Sequence, residues 1–379
     1  MQTKDRRSRQ LWTSGKAYYI HETGAPSHVA GLLHALPETV KMVHLSFSLA
    51  ATLKLALRRL DVRYIAKAAH DYLSLATIRF RTPSLVILGI APFDMRLVVI
   101  LKLLGPHHRV VYHTSWPAWS NNRHPKRFGS HAQLVRAAWW RLICQRCTVV
   151  AVVNSSAAQT ISVRYPDHRP IWYVGHTVLG LKTASSADIC DYSNLHQPLE
   201  VVFLGRLSRQ KGIDRFCRIA EACAGIPVRF KIAGSGDLLK YVQSVSANAP
   251  NLNYAGYLTG LGEVQELLRR ADVLLVPSRK SSRWEEAFCL SALEAMMQQT
   301  VVVATDSAGP RDLIINGLTG VILREAEFVK ATTELIHAWA VDRRQVHAIG
   351  EYAARAVEAR FSVAAISATW ACLIDKSFS

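Results

Sequence analysis

The stretch EEAFCLSALEAM (285–296) follows an apolar run, VLLVPS (273–278), and a long, basic loop, RKSSRW. Its two acids Glu286 and Glu294 stand with seven residues between them. Local structure accounts for one of them. Ser291-x-x-Glu294 fits a capping box, with Ser291 at the N-cap and Glu294 reaching back from the third helical position. Glu286 precedes that expected helix, so capping gives it no task. Standing after the loop and before the helix, it is expected at the mouth of a cleft, where an acid is placed for a ligand.

Around this stretch the chain alternates short apolar runs with amphipathic segments. VVFLG (201–205), VRFKIAG (228–234), LNYAG (252–256), VLLVPS, TVVVAT (300–305) and GVILRE (320–325) read as strands. The helix-period stretches IDRFCRIAEACA, DLLKYVQSVSA, GEVQELLRRA and SALEAMMQ lie between them. This is the βαβ pattern of an α/β fold, a parallel sheet covered by helices. The first half repeats it with AYYIHE, TVKMVHLS, SLVILGI, RVVYHT, TVVAVV and IWYVGHTV as strands. Helices are expected near 27–36, 48–60, 94–104, 131–147 and 155–165. The reading gives a first domain over 1–180, a polar linker over 181–198 and a second domain over 199–360. A closing helix spans 361–379.

The totals narrow the class. A chain of 379 residues, half of them hydrophobic, is globular and long enough for two cores. The longest apolar runs, such as SLVILGIAPF (84–93), fall short of a membrane span. No apolar signal segment follows the basic start MQTKDRRSRQLW, so a cytoplasmic protein is expected. Seven cysteines, an odd count without framework spacing, read as reduced thiols, and Cys144-x-x-Cys147 stands without a second pair. Charge is uneven. Residues 1–180 carry 24 Lys and Arg against 7 Asp and Glu, net +17, whereas 181–379 carry 22 against 21, net +1. A basic half calls for an anionic partner.

In open parallel sheets ligands bind at the carboxyl ends of strands. After VVFLG comes Arg206-Leu-Ser-Arg209-Gln-Lys211-Gly212, a cationic loop opening a helix, where main-chain N–H groups and the helix dipole favour an anion. After VRFKIA comes the glycine turn Gly234-Ser-Gly236. Ala287, Phe288, Cys289 and Leu290 offer main-chain donors to a diphosphate, with a carboxylate on each side for hydroxyl groups. In the first half, Gly24 opens a loop after a strand, and His113 ends RVVYHT.

Together these residues resemble the family 4 retaining glycosyltransferases, which have the GT-B architecture of two facing Rossmann-like domains around an inter-domain cleft. FLGRLSRQKGID is similar to the family's G-R-x4-K-G segment, IAGSGDL to its glycine turn and EAFCLSALEAM to its E-x7-E motif. ATDSAGPRDLIINGLTGVIL resembles the stretch that follows. HETGAPSHVAGLLHAL and VVYHTSW resemble the first-domain glycine loop and strand-end His-Thr, and RFSVAAISATW the helix that crosses back. The resemblance implies roles. Arg206 and Lys211 would neutralise the diphosphate of a UDP- or GDP-sugar, Glu286 would contact the sugar and Glu294 the ribose. Gly24 and Gly234 would approach the donor closely, Tyr257 would lie at the base, and His113 near the reacting bond. Phe288, Cys289 and Leu290 would donate from the main chain. Neither cofactor nor metal is implied, and the chain has no Asp-x-Asp signature. It departs from the family at Gln299-Thr-Val301, where Gly and Pro are usual, and at Gly175-His176-Thr177, where Asn-Gly is usual.

The expected activity is transfer of the sugar to a lipid-linked or saccharide acceptor in cell-surface polysaccharide or glycoconjugate synthesis. The basic half, with SLAATLKLALRRL (48–60) and HAQLVRAAWWRLICQR (131–146), would lie on anionic lipid at the inner face of the membrane. Two other readings use the same features. A nucleic-acid-binding protein would use the basic half but leaves Glu286 idle, and the recognised nucleic-acid motifs are absent from the sequence. A sugar phosphorylase or epimerase would keep the fold and change the reaction.

Overall fold

The computed structural model describes residues 15–21, 29–46, 63–117, 119, 132–178, 180, 197–281 and 284–378. Gly24, the expected helix at 48–60 and nearly all of the expected linker lie outside them. The chain divides into two compact units, one of residues 1–177 with 366–379, the other of residues 178–365.

The N-terminal unit holds a parallel sheet of β1 (Gly15–His21), β2 (Val40–Ser46), β3 (Leu85–Gly89), β4 (Arg109–Thr114), β5 (Val149–Val152) and β6 (Ile171–Tyr173). Its order is β2-β1-β3-β4-β5-β6. Alternation along a strand sends neighbouring side chains to opposite faces. Tyr112 on β4 enters an aromatic core with Phe93, Trp119 and Trp139, and its hydroxyl donates to the Ile90 carbonyl at 2.9 Å. His113, the next residue, lies on the other face with Tyr19 of β1.

In the C-terminal unit β7 (Leu199–Leu204), β8 (Val228–Ala233), β9 (Leu252–Gly256), β10 (Val273–Val276), β11 (Val301–Thr305) and β12 (Val321–Leu323) form a second parallel sheet. Its order is β12-β11-β10-β7-β8-β9. The order reverses between β7 and β10, so loops leaving their carboxyl ends diverge and open a crevice there. The interior strands β10 and β11 are mostly valine and leucine, buried throughout, as in a parallel sheet covered on both faces.

One apolar stretch within Arg344–Ser377 is long enough to cross a membrane. It is two helices, Arg344–Phe361 and Val363–Phe378, separated by Ser362 with extended ψ. Phe361, Trp370, Leu373 and Ile374 are buried inside the protein.

Candidate functional site

Glycines set how closely the strand-end loops approach. Gly212, with φ +72°, ends the loop after β7, and a Cβ there would lie 1.9 Å from the Pro277 carbonyl oxygen beyond β10. Only a residue without a side chain permits that approach. It sets Lys211 beside the end of β10, where its ammonium donates to Glu286 Oε2 at 2.6 Å. Ser278 Oγ donates to the same oxygen at 3.0 Å. Glu286 and Ser278 are buried and Lys211 half-buried. Burial by itself would push the Lys211 ammonium down; the charge of Glu286 and the hydrogen bond to it carry it above its ordinary value instead. The ring of Trp284 lies 5.8 Å from the ammonium.

The segment 285–288 is fastened to the helix Ala308–Leu313. Gly309 N donates to the Glu286 carbonyl at 2.8 Å, and Ala308 N to the Glu285 carboxylate at 3.3 Å. A Cβ on Gly309 would stand 2.5 Å from Phe288 N. The Phe288 ring packs edge-on against Phe361 in the interior, which leaves this residue only its main chain for a ligand.

The helix Leu290–Met297 corrects the capping expectation. Its N-cap is Cys289, not Ser291, and no side chain caps it. Cys289 adopts φ +66°, a left-handed conformation uncommon outside glycine, which starts the helix two residues earlier. Ser291 is therefore inside the helix, its hydroxyl 3.6 Å from the Cys289 sulfur. Glu294 does not reach back to an N-cap; burial pushes its carboxyl up to about 7. The Cys289 thiol is pushed up to about 12 by burial, so it stays protonated.

A second cluster lies on the other side of β7. Arg206, Gly234 and Tyr257, with Leu204, Gly205, Ser235, Leu258 and Val264, line a cavity of about 290 Å³. Gly234, φ +145°, would place a Cβ 1.8 Å from the Gly205 carbonyl oxygen, so glycine is what closes this floor. Arg206 is exposed. Lys211, Glu286 and Glu294 are not part of that lining. The loop 205–212 joins the two clusters, with Arg206 at one end and Lys211 at the other. His113 belongs to the N-terminal unit, and Gly24 is outside the described residues.

Sequence reading gave no role to Ser278, which precedes the loop 279–285, or to Trp284, which lies within it. It also took the segment 279–285 as plainly basic. Arg279 pairs with Asp214, and Lys280 with Asp306 at 3.1 Å, while the Lys280 N–H donates to Glu325 at 2.9 Å. Those cations are neutralised within the protein. Among the described residues no group of three or more His, Cys, Asp or Glu is placed to hold a metal ion.

Residues 191–356 match the family model of the glycosyl transferases group 1. The lipopolysaccharide core biosynthesis mannosyltransferase LpcC of Rhizobium leguminosarum bv. viciae is 30% identical over 166 residues, 42% of this chain and 46% of LpcC. A GDP-mannose-dependent alpha-mannosyltransferase of Mycobacterium tuberculosis is 33% identical over 149 residues, 39% of this chain and 36% of that protein. The chain thus spans less than half the length of these curated relatives. Anabaena HepE, solved in complex with UDP, superposes with TM-score 0.67 at 16% identity, covering 95% of this chain and 99% of HepE. The lipopolysaccharide outer core galactosyltransferase WaaB, in its apo form, gives 0.65 at 16%, with the same coverage. Residues 191–356 are a domain of the glycosyl transferases group 1 type, set in a chain with the GT-B fold.

Proposed function

We propose that this protein is a retaining glycosyltransferase that moves a hexose from a UDP- or GDP-sugar to a lipid-linked or saccharide acceptor. The observation that carries the reading is the pair Lys211–Glu286 at the reversal point of the second sheet. A nucleotide-sugar brings a diphosphate and a hydroxyl-rich ring, and the pair offers a cation for the one and a carboxylate for the other. Arg206 serves the diphosphate from the far end of the same loop. No side chain caps the helix beginning at Leu290, and a helix N-terminus is the usual place for phosphate oxygens. Tyr257 lines the cavity that suits the base, and Glu294 accepts from the ribose. His113 serves the reacting bond.

Catalysis by such a set is positioning plus stabilisation of charge on the departing diphosphate. The transition state of glycosyl transfer has oxocarbenium character, as in glycoside hydrolysis. The residues named supply the charges for this without a metal. The experiment is a thermal-shift screen of UDP- and GDP-sugars followed by turnover with the stabilising donor. Glu286→Gln should lose most of that turnover, and wild-type turnover in this variant would defeat the sugar contact.

The proposed site of action is the inner membrane face, in cell-surface polysaccharide synthesis. Three helices of the N-terminal unit, Arg63–Thr77, Arg96–Leu103 and Ala132–Trp140, pack side by side. Their outer face exposes Leu73, Val99 and Leu134 among the exposed cations Arg63, Lys67, Lys102 and Arg136, with Phe80 at one end 81% exposed. Apolar side chains that enter the headgroup layer, ringed by cations, suit an anionic bilayer.

A further inference from the structure

The C-terminal helix Val363–Phe378 makes close contacts in the N-terminal unit, to which residues 366–379 belong. Ile366 lies so near Gly31 that a Cβ on that glycine would come within 2.3 Å of its methyl carbon. Ser367 Oγ donates to the Gly31 carbonyl at 3.0 Å. Near the other end, the Lys376 ammonium lies 4.7 Å from the centre of the Trp172 ring. Trp370, between these anchors and 1% exposed, meets the His113 ring edge-to-face, centroids 5.4 Å apart and planes at 70°.

His113 is thus walled on several sides. His176 meets it at 6.0 Å and 89°, at the position where the resembled family has Asn-Gly, and Tyr19 lies 6.5 Å away. The terminal torsion of a histidine is soft, with broad wells, so neighbours must fix which way its nitrogens point. The backbone at β4 sets where the imidazole begins, and Trp370 is the nearest of these three rings packed around it.

We propose that Trp370 is a positioning residue for His113: the tail helix completes the histidine's surroundings and holds the imidazole in the orientation that sugar transfer requires. This rests on the role given to His113 above. A small misplacement of a reacting group is costly, up to about a hundredfold for an ångström. Loss of the indole should therefore appear in kcat rather than in nucleotide affinity.

The test uses the full chain, with UDP-glucose and GDP-mannose as the two donor probes and calorimetric binding of UDP and GDP. Trp370→Leu should lower kcat about ten- to a hundredfold while nucleotide affinity stays within about twofold. Trp370→Phe, which keeps an aromatic edge, should recover most of the rate. In a His113→Ala background, Trp370→Leu should cost less than about threefold further, because its effect acts through the missing ring. If the leucine variant does not fold, Trp370→Met replaces it, filling similar space without a ring. The same loss in both backgrounds, or affinity falling in step with kcat, would reduce Trp370 to a packing residue and overturn the proposal. Wild-type turnover in His113→Ala alone would instead remove the role of His113 and leave Trp370 nothing to position.

Discussion

Replacing Lys211 by methionine separates the two uses of its charge. The substitution keeps the aliphatic stem and removes the ammonium. Among the described residues the Glu286 carboxylate then keeps the Ser278 hydroxyl alone, in a place where its side chain is only 9% exposed. Breaking a buried pair by removing one partner costs about 3–5 kcal/mol. Lys211 itself is 30% exposed, and water entering the vacated volume will solvate part of the charge, so the lower end applies, about 3 kcal/mol. For a unit of this size that is a fall of about 6–12 °C in Tm. Adding Glu286→Gln removes the stranded charge while keeping an acceptor for Ser278, so the double variant should melt above Lys211→Met. Scanning calorimetry of the two variants beside wild type reads this directly. The pH dependence has a defined sign. The Lys211 value is raised above 10.5, so the pair's contribution is complete below that value and is lost as pH rises past the raised one. If Lys211→Met and the double variant melted together within about 2 °C of wild type, less than about 1 kcal/mol, the pair would hold nothing together.

Other outcomes follow from the same geometry. Glu294, raised by burial to about 7, should make the fold lose stability as pH rises from 4.5 to about 7, because the unfolded carboxyl ionises first; Glu294→Gln should flatten that slope in thermal melts. If its carboxylate accepts from the ribose, UDP or GDP affinity should also weaken up to about tenfold per pH unit below 7 in wild type, but not in the glutamine variant. Arg206→Ala should weaken nucleotide binding about ten- to a hundredfold with Tm unchanged, since the side chain is exposed; unaltered calorimetric affinity would place the diphosphate elsewhere. Gln299 has φ +63°, so Gln299→Gly should stabilise the protein by about 1 kcal/mol, and a lower Tm would show that its side chain outweighs the backbone strain. Vesicles containing phosphatidylglycerol should co-sediment with the protein and release it in about 1 M salt, where the Debye length falls to about 3 Å. Phe80→Asp should weaken that binding, and equal binding to neutral vesicles would refute the charged face.

Much of the site's frame was legible before any coordinates. The twelve strands of the described residues stand where apolar, β-branched runs placed them, although β6 stops at Tyr173, well short of the end of the expected IWYVGHTV. Gly234 marked a strand end and Gly212 the start of a helix, and both adopt positive φ. The departure at Gln299 was visible too, and the structure gives its meaning: a non-glycine residue occupies the left-handed turn that glycine would take without strain.

What the sequence by itself determined is thus periodicity, punctuation and the residue types at strand ends. Tertiary structure decided the rest. The start of the helix at Leu290 depended on which residue would adopt a left-handed backbone, a competition settled by packing of the loop 285–288 on Gly309, so the capping motif at Ser291 misled. The charge of the loop 279–285 could be counted but not its partners, since Asp214 and Asp306 reach it from other elements. Lys211 and Glu286 are 75 positions apart, and they meet because the order β12-β11-β10-β7-β8-β9 makes β10 the neighbour of β7. Trp370 and His113 share no segment at all and are joined by a helix that leaves one unit's sequence to pack in the other. A pattern along one strand or helix is a property of a few residues, whereas a contact between distant groups exists only once sheet order and backbone approach are fixed.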